Sequence, residues 1–204
     1  MNKVIKVEVN RKPVLRRLNI TGDPNLDNDK WHRRYLQLAQ HISQWSKDPS
    51  SKIGAVCVGT DGQILSTGYN GFPRNILDLE ERYNDRPTKY QYVIHAEMNC
   101  IYNASLNGLS LKGSTLYAWG LPICSECSKG IVQSGIKTVV IEDKGEVPEK
   151  WAASWELASS ILIEAGVQIH MVKLEHIPEP ELEIRILNNR IHELESQLFG
   201  GNVK

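Results

Sequence analysis

The sequence predicts a layered α/β domain built on a five-stranded mixed sheet. Three observations carry this. Five short apolar or β-branched runs, 53–58, 63–69, 114–119, 137–142 and 167–172, read as strands. The first two are separated only by a turn, Thr60-Asp61-Gly62, so they pair as a hairpin. The later strands alternate with segments of helical period, so they run parallel through helical crossovers.

Taken in order, residues 31–46 place Tyr35, Leu38, Ala39, Ile42 and Trp45 at helical spacing. IGAVCV and QILSTGY form the hairpin. Residues 95–107 read as a helix that stops near Gly108, and STLYAW (114–119) follows as a strand. Residues 124–134 form a short helix ending at Gly135, ahead of the strand KTVVIE (137–142). A helix over 151–165 stops at Gly166, and VQIHMV (167–172) closes the sheet.

Both ends of the chain differ in character from this centre. Residues 1–20 carry Lys3, Lys6, Arg11, Lys12, Arg16 and Arg17 against Glu8. That basic stretch reads either as an arm for a partner or as a solvated terminus. Beyond Pro178 and Pro180, Ile184, Leu187, Ile191, Leu194 and Leu198 recur at heptad spacing. The seam spans about two heptads, and both packing on its own domain and pairing with a neighbouring subunit fit it. The division expected is an N-terminal extension (1–28), a domain (29–174) and a C-terminal amphipathic helix (175–204).

Composition excludes several classes. The 204 residues hold 24 Lys plus Arg and 24 Asp plus Glu, so no broad nucleic-acid-binding surface is expected. No run approaches the roughly 20 apolar residues of a membrane span. The opening MNKVIKVEVNRK lacks a continuous apolar signal segment, and a cytoplasmic protein is the default expectation. Four cysteines are too few for a disulfide scaffold; clustered in a reducing compartment, they point to metal binding or catalysis.

The chemistry concentrates in HAEMNC (95–100) and PICSEC (122–127). Cys124 and Cys127 lie one helical turn apart at a predicted helix start, where free N–H groups favour thiolates. His95 at another helix start offers a third zinc ligand. Three protein ligands leave a fourth position for water, which marks a catalytic zinc. Glu97 diverges from His95 by about 200° around the helix and is suited to shuttle protons beside that water. A structural zinc closed by Cys57 or Cys100 and a redox Cys-x-x-Cys are the alternatives, although Cys57 alternates within its strand like a core residue.

His95-Ala96-Glu97 with Pro122…Cys124-Ser125-Glu126-Cys127 resembles the signature of the zinc-dependent cytidine deaminase superfamily. Ser46-Lys47-Asp48-Pro49, Ile53-Gly54-Ala55-Val56, Gly68-Tyr69-Asn70-Gly71-Phe72-Pro73, Lys89-Tyr90 and Gly130–Ile136 make it similar to the deoxycytidylate (dCMP) deaminase branch over roughly residues 31–172. The resemblance implies a three-layer α/β/α sandwich and hydrolytic deamination of dCMP to dUMP, with zinc-activated water attacking C4 and Glu97 serving N3 and the leaving ammonia. It also implies Asn70 at the sugar and the Ala96 backbone against the base. For the phosphate, Lys47, Arg74 and Lys89 are the candidates, because a dianion needs charged donors. Ser51 and Lys52 are next in line.

The branch brings homo-oligomers, a hexamer first, and dCTP and dTTP as candidate effectors. Ile123 separates Pro122 from Cys124, where the family has proline directly before the cysteine, so the loop 119–123 is expected to bulge. A 5-substituted dCMP or dCTP as substrate, and a non-catalytic nucleotide-binding scaffold, are the alternative functions. An intact Glu97 speaks against the scaffold.

Overall fold

The computed structural model describes residues 26–174, 187–192 and 194. The chain divides into two units at Leu174/Glu175. In the first, the elements run α1 (Leu26–Ser43), β1 (Gly54–Val58), β2 (Ile64–Tyr69), α2 (Glu80–Asn84), α3 (Arg86–Tyr92), α4 (Ala96–Leu106), β3 (Thr115–Trp119), α5 (Ser125–Gln133), β4 (Thr138–Glu142), α6 (Glu149–Glu164) and β5 (Gln168–Val172).

The sheet has the order β2-β1-β3-β4-β5. β1 pairs antiparallel with both neighbours, Val56 opposite Thr67 on one side and Tyr117 on the other. β3, β4 and β5 are parallel, as crossover helices require. All five predicted strands are present, and the mixed sheet is as the alternation implied.

Period-two alternation sorts the strand residues into two cores. Val56, Val58, Tyr117 and Val140 face α1, where they meet Leu36, Ala39 and Ile42. Ala55, Cys57, Leu116, Ala118, Val139 and Ile141 face the opposite layer with Ala96 and Cys100 of α4, Ile131 of α5, and Trp155, Ala158 and Leu162 of α6. The result is the three-layer α/β/α sandwich. β1 is buried on both faces, which explains why GAVCV reads as an unbroken apolar run rather than an alternating one.

The helix stops fall where the glycines predicted them, with Gly108, Gly135 and Gly166 all at positive φ. α1 departs from expectation at both ends. It starts at Leu26, inside the expected N-terminal extension, and gives way after Ser43 to tighter turn bonds such as Trp45 N–H to Ile42 O. Trp45 is therefore exposed and stacks edge-on against Tyr69 instead of joining the buried stripe. α2 and α3 occupy a stretch with no predicted element. Asp85 caps α3 by accepting from Thr88 N–H, and Pro87 stands in its first turn, a start signal legible in Asp85-Arg86-Pro87-Thr88.

α4 sits against the sheet with almost no clearance. A Cβ on Gly68 of β2 would lie 2.3 Å from Cys100 N and 2.4 Å from Ala96 O, so only glycine lets helix and strand approach this closely. Asn99 and Asn103 donate to the β2 carbonyls of Tyr69 and Thr67, and Ser66 Oγ donates to Cys100 O. A Cβ on Gly130 of α5 would likewise meet Met98 Sδ of α4 at 2.5 Å.

In the second unit, residues 187–192 are helical. Leu187, Ile191 and Leu194 of the heptad seam are 57%, 52% and 42% exposed. Ile184 and Leu198 lie outside the described residues, as does the basic stretch Lys3–Arg17. Among the described residues, no helix is long and apolar enough to cross a membrane.

Candidate active site

Two helix N-termini build the centre. His95 is the N-cap of α4, held in extended conformation by the bridge Gly71–Ile94 just before it. Cys124 is the N-cap of α5, its sulfur accepting from Cys127 N–H at 3.4 Å. Ser154 of α6 steadies the same turn by accepting from Ser125 N–H. His95 Nδ1 stands 3.3 Å from Cys124 Sγ and 3.4 Å from Cys127 Sγ. The three donor atoms lie within 4.8 Å of one another and form a group that could hold a metal. Two sulfurs and one imidazole nitrogen suit zinc. Cys57 and Cys100 stand apart from this trio, fully buried in the core between β1 and α4.

The electrostatics fit a metal-binding trio. The Cys124 thiol is pushed down to about 4 by hydrogen bonding from Cys127 and His95, against the opposing effect of burial. His95 is pushed up to about 9, chiefly by its bond to the Cys124 sulfur. Cys127 is pushed up by sharing that sulfur's proton demand and by burial. A metal at this point would replace the protons that otherwise hold the three groups together.

Glu97 is the second residue of α4, 3% exposed, and opens onto the same cleft as His95 and Cys124. Burial raises its carboxyl above the ordinary range, against the lowering pull of His95. Ala96 beside it is fully buried at the first position of α4.

The cleft encloses about 280 Å³. One wall is a buried polar network. Asn70 Oδ1 accepts from Ile53 N–H at 2.8 Å, and its amide donates to Ser51 O at 2.8 Å. Asp48 Oδ1 accepts from Ser50 N–H, Ser51 N–H and Lys89 Nζ at 2.8, 3.2 and 3.1 Å. Tyr83, stacked on Phe72 at 4.2 Å between centroids, and Tyr90 bring α2 and α3 into the lining. Leu121, Pro122 and Trp151 complete the lining. Ile123, the residue inserted before Cys124, is fully buried in the core and anchors this loop.

The structure separates the three cationic residues proposed for phosphate. Lys47 is 69% exposed and pairs with Asp78 at 2.7 Å, away from the cleft lining. Arg74 donates to the side-chain oxygen of Asn103 in α4 and is likewise not in the lining. Lys89 does line the cleft, but it is buried against Asp48 and Ser50. Ser51 is in the lining and Lys52 is not. Two cations that sequence reasoning missed are there, Arg86 and Lys150. Arg86 donates to the Tyr90 hydroxyl and lies over its ring; Lys150 lies over the Trp151 ring. Their helices start at Asp85-Arg86-Pro87 and Pro148-Glu149-Lys150, and those starts were the only available signal.

Residues 29–143 match the family model described as the cytidine and deoxycytidylate deaminase zinc-binding region. The chain belongs to this family. It is 31% identical to an uncharacterized deaminase in the luxG 3′ region of Aliivibrio fischeri, across 72% of this chain and 96% of that one. It is 39% identical to the deoxycytidylate deaminase of Mus musculus, across 61% and 72% of the two chains. The crystal structure of dCMP deaminase from the cyanophage S-TIM5 in complex with dCMP and dUMP shares the fold at a TM-score of 0.56 and 26% identity, covering 70% of this chain and 97% of that one. The cofactor of this deaminase is zinc, and the sulfur–imidazole trio is the described group that fits it.

Burial of Glu97 gives a measurable pH dependence. Because its folded carboxyl holds the proton more tightly than an unfolded glutamate, stability falls as pH rises above about 4.3. In chelator-stripped deaminase, Glu97→Gln is therefore expected to raise the denaturation midpoint at pH 7–8, with the gain shrinking toward pH 4. Urea titrations of both proteins across that range measure it, and a pH-independent difference would contradict it.

Proposed function

We propose that this deaminase hydrolyses the C4 amine of dCMP, giving dUMP and ammonia, with Glu97 as the general acid–base group. The observation that carries the reading is that Glu97 opens onto one cleft together with His95 and Cys124 of the zinc-type donor trio, and that the same lining holds Arg86 and Lys150. In this reading His95, Cys124 and Cys127 hold the zinc. When bound, zinc supplies a Lewis acid that lets water act as a nucleophile near neutral pH.

The protein's own groups do the remainder. Glu97, held toward neutrality by burial, accepts a proton and delivers it to ring N3, then serves the amine nitrogen as ammonia leaves. The start of α4 at Ala96 forms the surface against the base. Asn70 is tied to the loop before β1 through Ile53 N–H and Ser51 O, and keeps a lone pair on Oδ1 for a sugar hydroxyl. Arg86 and Lys150 carry the phosphate. Both engage uncharged aromatic partners, so their charge is left to attract a dianion, whereas that of Lys89 is met by Asp48.

The same reading takes the enzyme as a cytoplasmic homo-oligomer, a hexamer, with residues 29–174 as the deaminase domain between an N-terminal extension and a C-terminal helix. Four free thiols suit a reducing compartment. The exposed Leu187, Ile191 and Leu194 supply apolar surface for subunit pairing.

Ammonia release from dCMP, deoxycytidine, dCTP and 5-methyl-dCMP tests the activity. Zinc-loaded enzyme is expected to favour dCMP, and Glu97→Ala is expected to retain zinc while losing about 10²–10⁴-fold in kcat. A variant within about threefold of wild type would remove Glu97 from the mechanism. Arg86→Ala and Lys150→Ala are expected to raise KM for dCMP more than for deoxycytidine; equal effects on both would refute their role at the phosphate. Light scattering measures the assembly, and a monomeric mass would overturn that part of the proposal.

A further inference from the structure

The polar wall of the cleft contains a carboxylate where an anionic substrate would meet it. Asp48 lines the cleft, and its side chain is only 5% exposed. Its Oδ1 fixes the turn at residues 50–51 by accepting both backbone N–H groups. That turn in turn receives Asn70, whose amide donates to Ser51 O. Ser46 Oγ accepts from Asp48 N–H and donates to Asn70 O, so the three side chains form one connected frame. A neutral acceptor could hold the same two N–H groups. What a carboxylate adds is a negative charge, in a poorly hydrated site, facing the space an incoming nucleotide must enter.

Lys89 is the counterweight. It comes from α3, 41 residues away along the chain, and its side chain is 8% exposed. Its Nζ donates to Asp48 Oδ1 at 3.1 Å and to Ser50 Oγ at 3.2 Å. An ammonium this deeply buried and already bonded to a carboxylate is poorly placed to give its charge to a second anion. Its effect at the site is to cancel the field of Asp48 and lock the 50–51 turn. We propose that Lys89 is a positioning residue, acting through Asp48 to hold this wall neutral and rigid so that a 5′-phosphorylated nucleotide can bind. This rests on dCMP being the substrate.

The alternative is direct contact between Lys89 and the phosphate, and a charge-removal cycle separates the two. Lys89→Met keeps the apolar stem and leaves Asp48 uncompensated. It is expected to lower the melting temperature and to raise KM for dCMP by about tenfold or more, with kcat within about threefold. Asp48→Asn combined with Lys89→Met removes both charges while keeping an acceptor for Ser50 and Ser51 N–H. The double variant is expected to recover the melting temperature and a KM within about threefold of wild type. If Lys89→Met does not fold, the double variant alone carries the test. A folded double variant whose KM stays about tenfold high would overturn the proposal, because Lys89 would then hold the phosphate itself. An unchanged KM in Lys89→Met would overturn it as well. Wild-type enzyme that fails to deaminate dCMP would instead refute the substrate assignment, a result distinct from either of these.

Discussion

Two helix N-termini have to meet. His95 before α4 and Cys124 before α5 carry ligand atoms that must lie within a few ångströms of one another, and both positions are fixed by backbone before any side chain is chosen. The helix ends favour anionic sulfur through their free N–H groups, so the site draws its electrostatics from the same feature that gives its geometry. Everything behind these ends supports their approach. α4 is seated on β2 through Gly68 and tied by Asn99 and Asn103, while α5 is steadied from α6 by Ser154. The parallel strands β3, β4 and β5 set the spacing at which α5 and α6 pack.

The opposite wall follows a different logic. Where the metal corner rests on close backbone packing, this wall rests on buried hydrogen bonds. Asp48, Asn70 and Ser46 are almost fully buried, and each is satisfied by a backbone or side-chain partner. Such a network is tolerable only when complete, since an unpaired polar group in a poorly hydrated site costs more than the pair gains. That requirement binds α3, through Lys89, to the loop before β1, and so joins segments that share no sheet contact.

Much of this was legible from the chain. Hairpin, crossovers and helix stops follow from local chemistry: Thr60-Asp61-Gly62 for the turn, and Gly108, Gly135 and Gly166 for the helix ends. The zinc-type trio was legible because ligand type and one-turn spacing constrain geometry directly. The surroundings of the candidate cations were not. Lys47, Arg74 and Lys89 are alike as letters, yet one pairs with Asp78 on the surface, one caps Asn103, and one is buried on Asp48. Which carboxylate or amide a lysine or arginine meets is a long-range fact, set by how α1, α4 and the loops pack. Trp45 illustrates the same limit, since its helical spacing was sound but the helix ended before it.

The loop between β3 and α5 shows where this enzyme has room to change. Leu121 and Pro122 line the cleft, while Ile123 next to them is locked in the core. One buried residue thus lets its neighbours vary in size or polarity without disturbing Cys124. Gly68, by contrast, admits no substituent, because backbone of α4 fills the space. The pocket can therefore be reshaped at residues 121–122 with little strain on the metal corner, whereas a side chain at Gly68 would displace the helix that carries His95 and Glu97.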